Sequence, residues 1–185
     1  MDAGLYERAL SRTEAIVANT TVGQLDDPTS CGSWKVRDLL NHLIGGMAAY
    51  AAGAAGRPLP SESDDHIGDD PAGNFRRAAT DALDAFRAPD AMERTFKMPW
   101  GDTPGSVALG LAVSEAGIHG WDLAKATRQP ATIDDDVAEA IYNMTSSMME
   151  PLGGFPRGGS FADPVEVPED APIVDKTVAY LGRRP

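Results

Sequence analysis

The sequence predicts an all-α protein, a four-helix bundle with short extra elements at its C-terminal end. Three observations carry that expectation. Apolar residues recur at spacings of three and four along most of the chain. No alternation of strand, helix and strand suggests a parallel sheet, and no fixed-period repeat stands out. At 185 residues, 42% hydrophobic and 24% charged, the chain has the size and composition of one globular domain, expected to span residues 1–185.

The elements follow in order. Residues 4–19 read as a first helix with Leu5, Leu10, Ile16 and Val17 among its apolar positions, ended by the turn-prone stretch 23–28. A second helix is expected from an N-cap at Ser33, through Trp34, Val36, Leu39, Leu40, Leu43, Ile44 and Met47, paired with the first across a short loop. Residues 55–73 form an acidic, exposed loop, and Phe75, Ala78, Ala79, Leu83 and Phe86 mark a third helix ending before Pro89. Residues 94–100 alternate in hydropathy and suggest a short extended segment, limited by Pro99. Thr103 and Pro104 read as N-cap and first turn of a fourth helix of roughly 35 Å that lasts until Pro130. Thr132 with Asp135 resembles a capping box for a fifth helix reaching Met149. A Gly/Pro-rich loop then leads to a short helix around 172–182.

Charge narrows the function classes. A net charge of -12 and a pI near 4.5, with no basic patch, oppose binding to nucleic acid or to an anionic membrane surface. Residues 39–56 carry almost no charge, but they are rich in Ala and Gly and include Asn41 and His42, so they read as a buried bundle helix and not a membrane span. Glu7, Arg8, Arg12 and Glu14 leave no export signal in the first twenty residues. A single cysteine, Cys31, excludes an intramolecular disulfide and fits a reducing cytoplasm, the expected location.

The fourth helix is apolar nearly all round, so an ionisable group on it needs a partner or a task. On a wheel of 100° per residue starting at Val107, Glu115, His119 and Asp122 fall at about 80°, 120° and 60°, among small neighbours Ala108, Ala112 and Ala126. Glu115 and His119, four residues apart, can reach one point beside the helix. That spacing serves either a metal-ligand pair or an ordinary hydrogen-bonded pair. His42, at the flank of the second helix's apolar stripe with Gly45 and Ala49 nearby, is either the third ligand or a histidine satisfied by a carbonyl. Together the three would make an open triad for a divalent metal, zinc first and nickel, iron or manganese also suited, with positions left for water or substrate. Asp122 is either an acceptor orienting a ligand histidine or a hydrogen-bond partner within the bundle, the second being preferred.

Cys31 precedes a helix N-terminus but is expected to be too far along that helix from His42 to share its ion, and so to be a plain free thiol. Asp64, Asp65, His66, Asp69 and Asp70 lack the order of a calcium loop and read as a solvated acidic loop. Trp34, Trp100 and Trp121 are expected packing anchors, with Trp100 able to line a pocket mouth, and Arg183 and Arg184 are expected to be exposed.

The stretch TSCGSWKVRDLLNHL from Thr29 to Leu43, and EAGIHGWDL from Glu115 to Leu123, resemble the DinB-like superfamily. They are most similar to its mycothiol-dependent maleylpyruvate isomerase branch and that branch's small metal-binding relatives. The likeness also takes in Pro99-Trp100-Gly101 and the closing Leu181-Gly182-Arg183. It implies an up-down-down-up four-helix bundle with a metal held by one histidine of the second helix and by an acid and a histidine of a later one, matching His42, Glu115 and His119. It also implies a low-molecular-weight thiol cosubstrate of the mycothiol type, whose thiolate attacks a small electrophile in S-transfer, cis/trans isomerisation or detoxification. The isomerase has a C-terminal domain where this chain has a short tail, so maleylpyruvate is not the expected substrate. A non-catalytic metal or small-ligand binding protein is the alternative. Such bundles can pair as homodimers through apolar helix faces, although no seam here points to a partner.

Overall fold

The structure is a computed structural model that describes residues 1–61, 63–149 and 161–185, the side chains of 148 and 149 excepted. Among the described residues lie six α-helices: α1 (Ala3–Ala18), α2 (Val36–Ala54), α3 (Pro71–Arg87), α4 (Gly105–Ala126), α5 (Asp135–Met149) and α6 (Ile173–Tyr180). An antiparallel hairpin of β1 (Thr95–Met98) and β2 (Gly101–Pro104) joins α3 to α4. Helix starts follow local chemistry. The Asp2 carboxylate accepts the Leu5 N–H at 2.9 Å, and Asp70 accepts the Gly73 N–H at 2.9 Å with Pro71 in the first helical position.

Three expectations need correction. The second helix starts at Val36 and not at Ser33, because residues 28–35 close on themselves. Pro28 bridges Lys35, the Thr29 N–H donates to the Trp34 carbonyl at 3.0 Å, and Asp38 accepts the Lys35 N–H at 2.9 Å. Thr103 and Pro104 belong to β2, and α4 starts at Gly105 with Pro104, not Thr103, in the N-cap position and no side-chain cap: Pro104 stands opposite Thr95, and the Gly105 N–H reaches the Arg94 carbonyl at 2.8 Å. The extended segment foreseen near 94–100 is therefore one strand of a small two-stranded sheet, and the protein is otherwise helical among the described residues. Phe96 and Met98 point inward from β1, and the Phe96 ring stacks on Phe86 with centroids 4.9 Å apart, which fixes the hairpin to the helices. The third correction concerns pairing. α1 packs on α3 and α4, and α2 packs on the same two, so α1 and α2 lie across a closed ring of four helices; residues 19–35 carry the chain over.

α5 packs on α4 and α1, α6 packs on α5, and the hairpin rests on α2 and α4. Tyr6, Leu40, Phe75, Leu109, Val113 and Ile141 sit in the centre with essentially no exposure. α4 touches most of these elements, consistent with its apolar circumference. The uncharged stretch 39–56 is largely the interior of α2, and no helix among the described residues is long and apolar enough to cross a membrane. The Gly/Pro-rich loop expected after Pro151 lies mostly outside the described residues.

Close approach of α1 to α4 depends on Gly120, where an added Cβ would lie 2.1 Å from the Thr13 hydroxyl. Thr13 is buried and committed, donating to the Ala116 carbonyl at 2.9 Å. Gly46, within α2, has nothing within 4 Å of its added Cβ. Gly120→Ala is expected to destabilise the fold by about 1–3 kcal/mol through overpacking, whereas Gly46→Ala should stabilise it by up to about 1 kcal/mol. Urea unfolding midpoints of the two variants, moving in opposite directions, check the assignment.

Candidate metal centre

α4 stacks Glu115 and His119 one turn apart, and the neighbouring α2 delivers His42. His42 Nε2 lies 2.9 Å from Glu115 Oε2, and His119 Nε2 lies 3.4 Å from the same oxygen. The structure thus brings together the three residues singled out in the sequence, with one potential ligand atom from each inside a 4.8 Å cluster. The side chains of His42 and Glu115 are 40% and 43% exposed and that of His119 only 14%, so the cluster is open on the His42 side and closed behind His119. Trp34 is not a buried anchor; it lies against His42 with ring centroids 4.9 Å apart, and His42 meets His119 edge-on at 5.1 Å. Burial alone would raise the Glu115 carboxyl, but the neighbouring His119 and the hydrogen bond from His42 outweigh it and hold the carboxyl below its usual range.

The donor set fits a divalent cation. An ion with bonds of about 2.1 Å places adjacent ligand atoms about 3.0–3.4 Å apart, close to the 2.9 and 3.4 Å found here. His119 Nδ1 lies 3.1 Å from Asp122 Oδ2, which assigns the ring proton to Nδ1 and leaves Nε2 as a lone-pair donor facing Glu115. Two imidazoles and a carboxylate suit zinc, nickel, iron and manganese alike.

Behind His119 the structure corrects two sequence expectations. Arg183 is not exposed: its guanidinium is buried, with Nη2 2.9 Å and Nε 3.3 Å from the two oxygens of Asp122. Cys31 is not remote from the cluster either. Because residues 28–35 fold as a closed loop instead of extending the helix, its Sγ lies 3.8 Å from His119 Nδ1 and 3.3 Å from Asp122 Oδ2. Burial, and then the Asp122 carboxylate beside it, push this thiol up to about 12, so it stays protonated and donates. The Ser30 hydroxyl, which no sequence pattern singled out, donates to Asp122 Oδ1 at 2.7 Å.

Cys31, His119 and Asp122 are also near enough to one another to hold a metal ion. The carboxylate, however, already accepts from Ser30, Cys31, His119 and both nitrogens of the Arg183 fork, five donors for about four lone-pair sites. A cation there would also face the buried guanidinium. Asp122 therefore serves both roles considered for it, orienting His119 and tying the fold together.

The acidic loop behaves as read. Asp64, Asp65 and Asp70 accept the backbone N–H groups of Ser61, Gly68 and Gly73, and Asn41 pins the loop to α2 through the Asp64 carbonyl and the His66 N–H. Trp100 is 61% exposed at the β1–β2 turn, and Arg184 is exposed as expected.

The family model of the mycothiol maleylpyruvate isomerase N-terminal domain matches residues 6–124, a range that holds His42, Glu115, His119 and Asp122. The chain belongs to that family. Two relatives from Mycobacterium tuberculosis, one from each of two strains and both described as uncharacterised proteins, are each 34% identical over 178 residues, covering 96% of this chain and 95% of theirs. The crystal structure of the mycothiol-dependent maleylpyruvate isomerase superposes with a TM-score of 0.57 at 15% identity, over 80% of this chain and 67% of that one. A single-site variant of the same enzyme gives the same TM-score at 14% identity. This likeness is one of fold, and it agrees with a DinB-like helical architecture.

Removing Asp122 would leave the Arg183 charge buried without a partner. Asp122→Ala is expected to lower stability by about 3–5 kcal/mol at neutral pH, and Asp122→Ala combined with Arg183→Met should cost clearly less than the two single changes summed. The Asp122 carboxyl is held far below its unfolded value near 3.9, the hydrogen bonds from His119 and Arg183 overcoming burial. Its contribution is therefore complete above that pH and is lost as pH falls towards the folded value. Chemical unfolding of the four proteins at pH 7, and again at pH 4 and below, measures the coupling and its loss in acid.

Proposed function

We propose that this protein holds one divalent cation between His42, Glu115 and His119 and uses it in a thiol-dependent transfer or isomerisation of a small electrophile. The observation that carries the metal reading is the convergence of two imidazole nitrogens and one carboxylate oxygen on a single open point, with the second nitrogen of His119 already bonded to a buried acid. Membership of the mycothiol maleylpyruvate isomerase N-terminal domain family supports a thiol of the mycothiol type as cosubstrate. A divalent ion at this point would supply Lewis acidity, bringing the pKa of a small thiol at an open position down towards neutrality. Zinc is the first choice by donor chemistry.

The chain's own residues prepare the site. Glu115 is the only anionic member of the triad and offsets the charge of the cation, while His42 and His119 stay neutral when they donate Nε2. Trp34 walls the open side against His42, so a ligand would reach the cluster alongside an aromatic face. We read the ring of α1, α3, α2 and α4 as the four-helix bundle of this family and residues 1–185 as one domain. A reducing compartment, in which Cys31 and a small thiol both remain reduced, suits the chemistry.

Metal analysis of the purified protein beside His42→Ala and Glu115→Ala, followed by titration of the zinc-loaded wild type with mycothiol, tests the proposal. One equivalent of metal in the wild type, lost in both variants, and proton release on thiol addition are the expected results. Metal without thiol binding would leave a binding protein in place of an enzyme, and absence of metal after loading with zinc, nickel, iron and manganese would leave the triad as a hydrogen-bonded cluster.

A further inference from the structure

The C-terminal segment lies outside the family match, which ends at residue 124, yet one of its side chains reaches the group behind His119. The approach is set by a helix-ending motif. Gly182 takes φ +83, its N–H donates to the Ala179 carbonyl and the Arg183 N–H donates to the Val178 carbonyl, both at 2.9 Å. That pair of bonds is the Schellman arrangement, for which glycine is the favoured residue. An added Cβ at Gly182 would also lie 2.8 Å from the Ala162 carbonyl oxygen, so glycine is required there twice over. The motif turns the chain inward and drives Arg183 into the core. There its guanidinium sits 5.8 Å from the Phe161 ring, donates Nη1 to the Leu181 carbonyl at 2.9 Å and grips both oxygens of Asp122.

A planar fork fixes the plane of a carboxylate in a way a point charge does not. With Oδ1 shared by Ser30 and Arg183 Nε, and Oδ2 held by Arg183 Nη2, Asp122 cannot rotate, and its Oδ2 stays aimed at His119 Nδ1. The orientation and tautomer of His119, and with them the direction of its Nε2 lone pair, are thereby set by a residue 64 positions away in sequence (183 minus 119). Arg183 is itself no ligand, since it is buried behind the ring and cationic.

We infer that Arg183 is a positioning residue of the metal centre, holding Asp122 so that His119 presents Nε2 to the cation. This rests on the metal reading above. The C-terminal helix is then part of the apparatus that sets metal affinity, although every proposed ligand lies within the family-matched region.

The test uses Arg183→Lys and Arg183→Gln, with the exposed Arg184→Gln as control, in the full chain. Zinc and cobalt affinities are measured by chelator competition, the cobalt visible spectrum reports ligand geometry, and nitrogen NMR of the metal-free proteins reports the His119 tautomer at a pH where the ring is neutral. Arg183→Gln is expected to weaken metal binding about 10–100-fold, to shift the cobalt spectrum and to move His119 away from the Nδ1-protonated tautomer. Arg183→Lys, which keeps the charge but not the planar fork, should recover only part of the loss, and Arg184→Gln should match the wild type. Wild-type affinity and tautomer in both Arg183 variants overturn the inference while leaving the metal reading intact. A wild type that binds no cation overturns the metal reading itself, and the inference with it.

Discussion

A carboxylate shut away from water must receive from the chain every hydrogen bond it would have made to solvent, and Asp122 meets that requirement from three separate segments. Its own helix supplies His119, the loop before α2 supplies Ser30 and Cys31, and the end of the chain supplies Arg183. Each donor fixes something else. Ser30 and Cys31 hold the closed loop 28–35 against α4, and that loop delivers Trp34 to the rim of the cluster. Arg183 anchors the tail, and His119 is turned toward Glu115. A buried ion pair of this kind contributes little net stability over an apolar replacement, but it is costly to break on one side only. Its consequence is therefore geometric as much as energetic: these segments must meet in one arrangement, and in that arrangement His119 faces α2.

His119 accordingly has two environments. Its Nδ1 side is buried and saturated with partners, and its Nε2 side faces a half-exposed cluster where two neighbours can act as donors to an ion. Such an asymmetry gives the Nε2 lone pair a defined direction. The alternative arrangement, in which the ring is free to turn, would spend part of any binding energy on ordering the imidazole. The same asymmetry keeps Cys31 out of thiolate chemistry, since it is a proton donor to an anion and sits on the closed side. If a thiol takes part at this centre, it enters from the open side and is not supplied by the chain.

The open half of this arrangement was legible in the sequence. Helical periodicity alone placed Glu115, His119 and Asp122 on one stripe of the fourth helix, because residues three and four apart share a face whatever the rest of the fold does. His42 could be nominated from its small neighbours and then joined to the pair through resemblance to a family. The closed half was not legible. Ser30, Cys31 and Arg183 lie 92, 91 and 61 positions from Asp122, and each sits in or beyond a turn, so no periodicity connects them to α4. Reading residues 33–35 as regular helix also projected Cys31 along a helix axis that does not exist there. The Thr103-Pro104 pair misled for a related reason: proline at the end of a strand and proline in the first turn of a helix satisfy the same local preference, and what sets the two apart here is pairing with β1, Thr103 opposite Phe96 and Pro104 opposite Thr95.

Gly182 shows how a signal at the end of the chain could have been read further. A glycine after a short apolar helix indicates a left-handed turn, and a left-handed turn brings the chain back across the helix it has just left. The next side chain is then directed at the protein, which for an arginine demands a buried acid. The one acidic residue of α4 left over after a ligand pair had been chosen was Asp122. Matching a surplus buried acid to a returning cation is an inference from charge alone, and it joins the tail to the centre without any knowledge of the intervening fold.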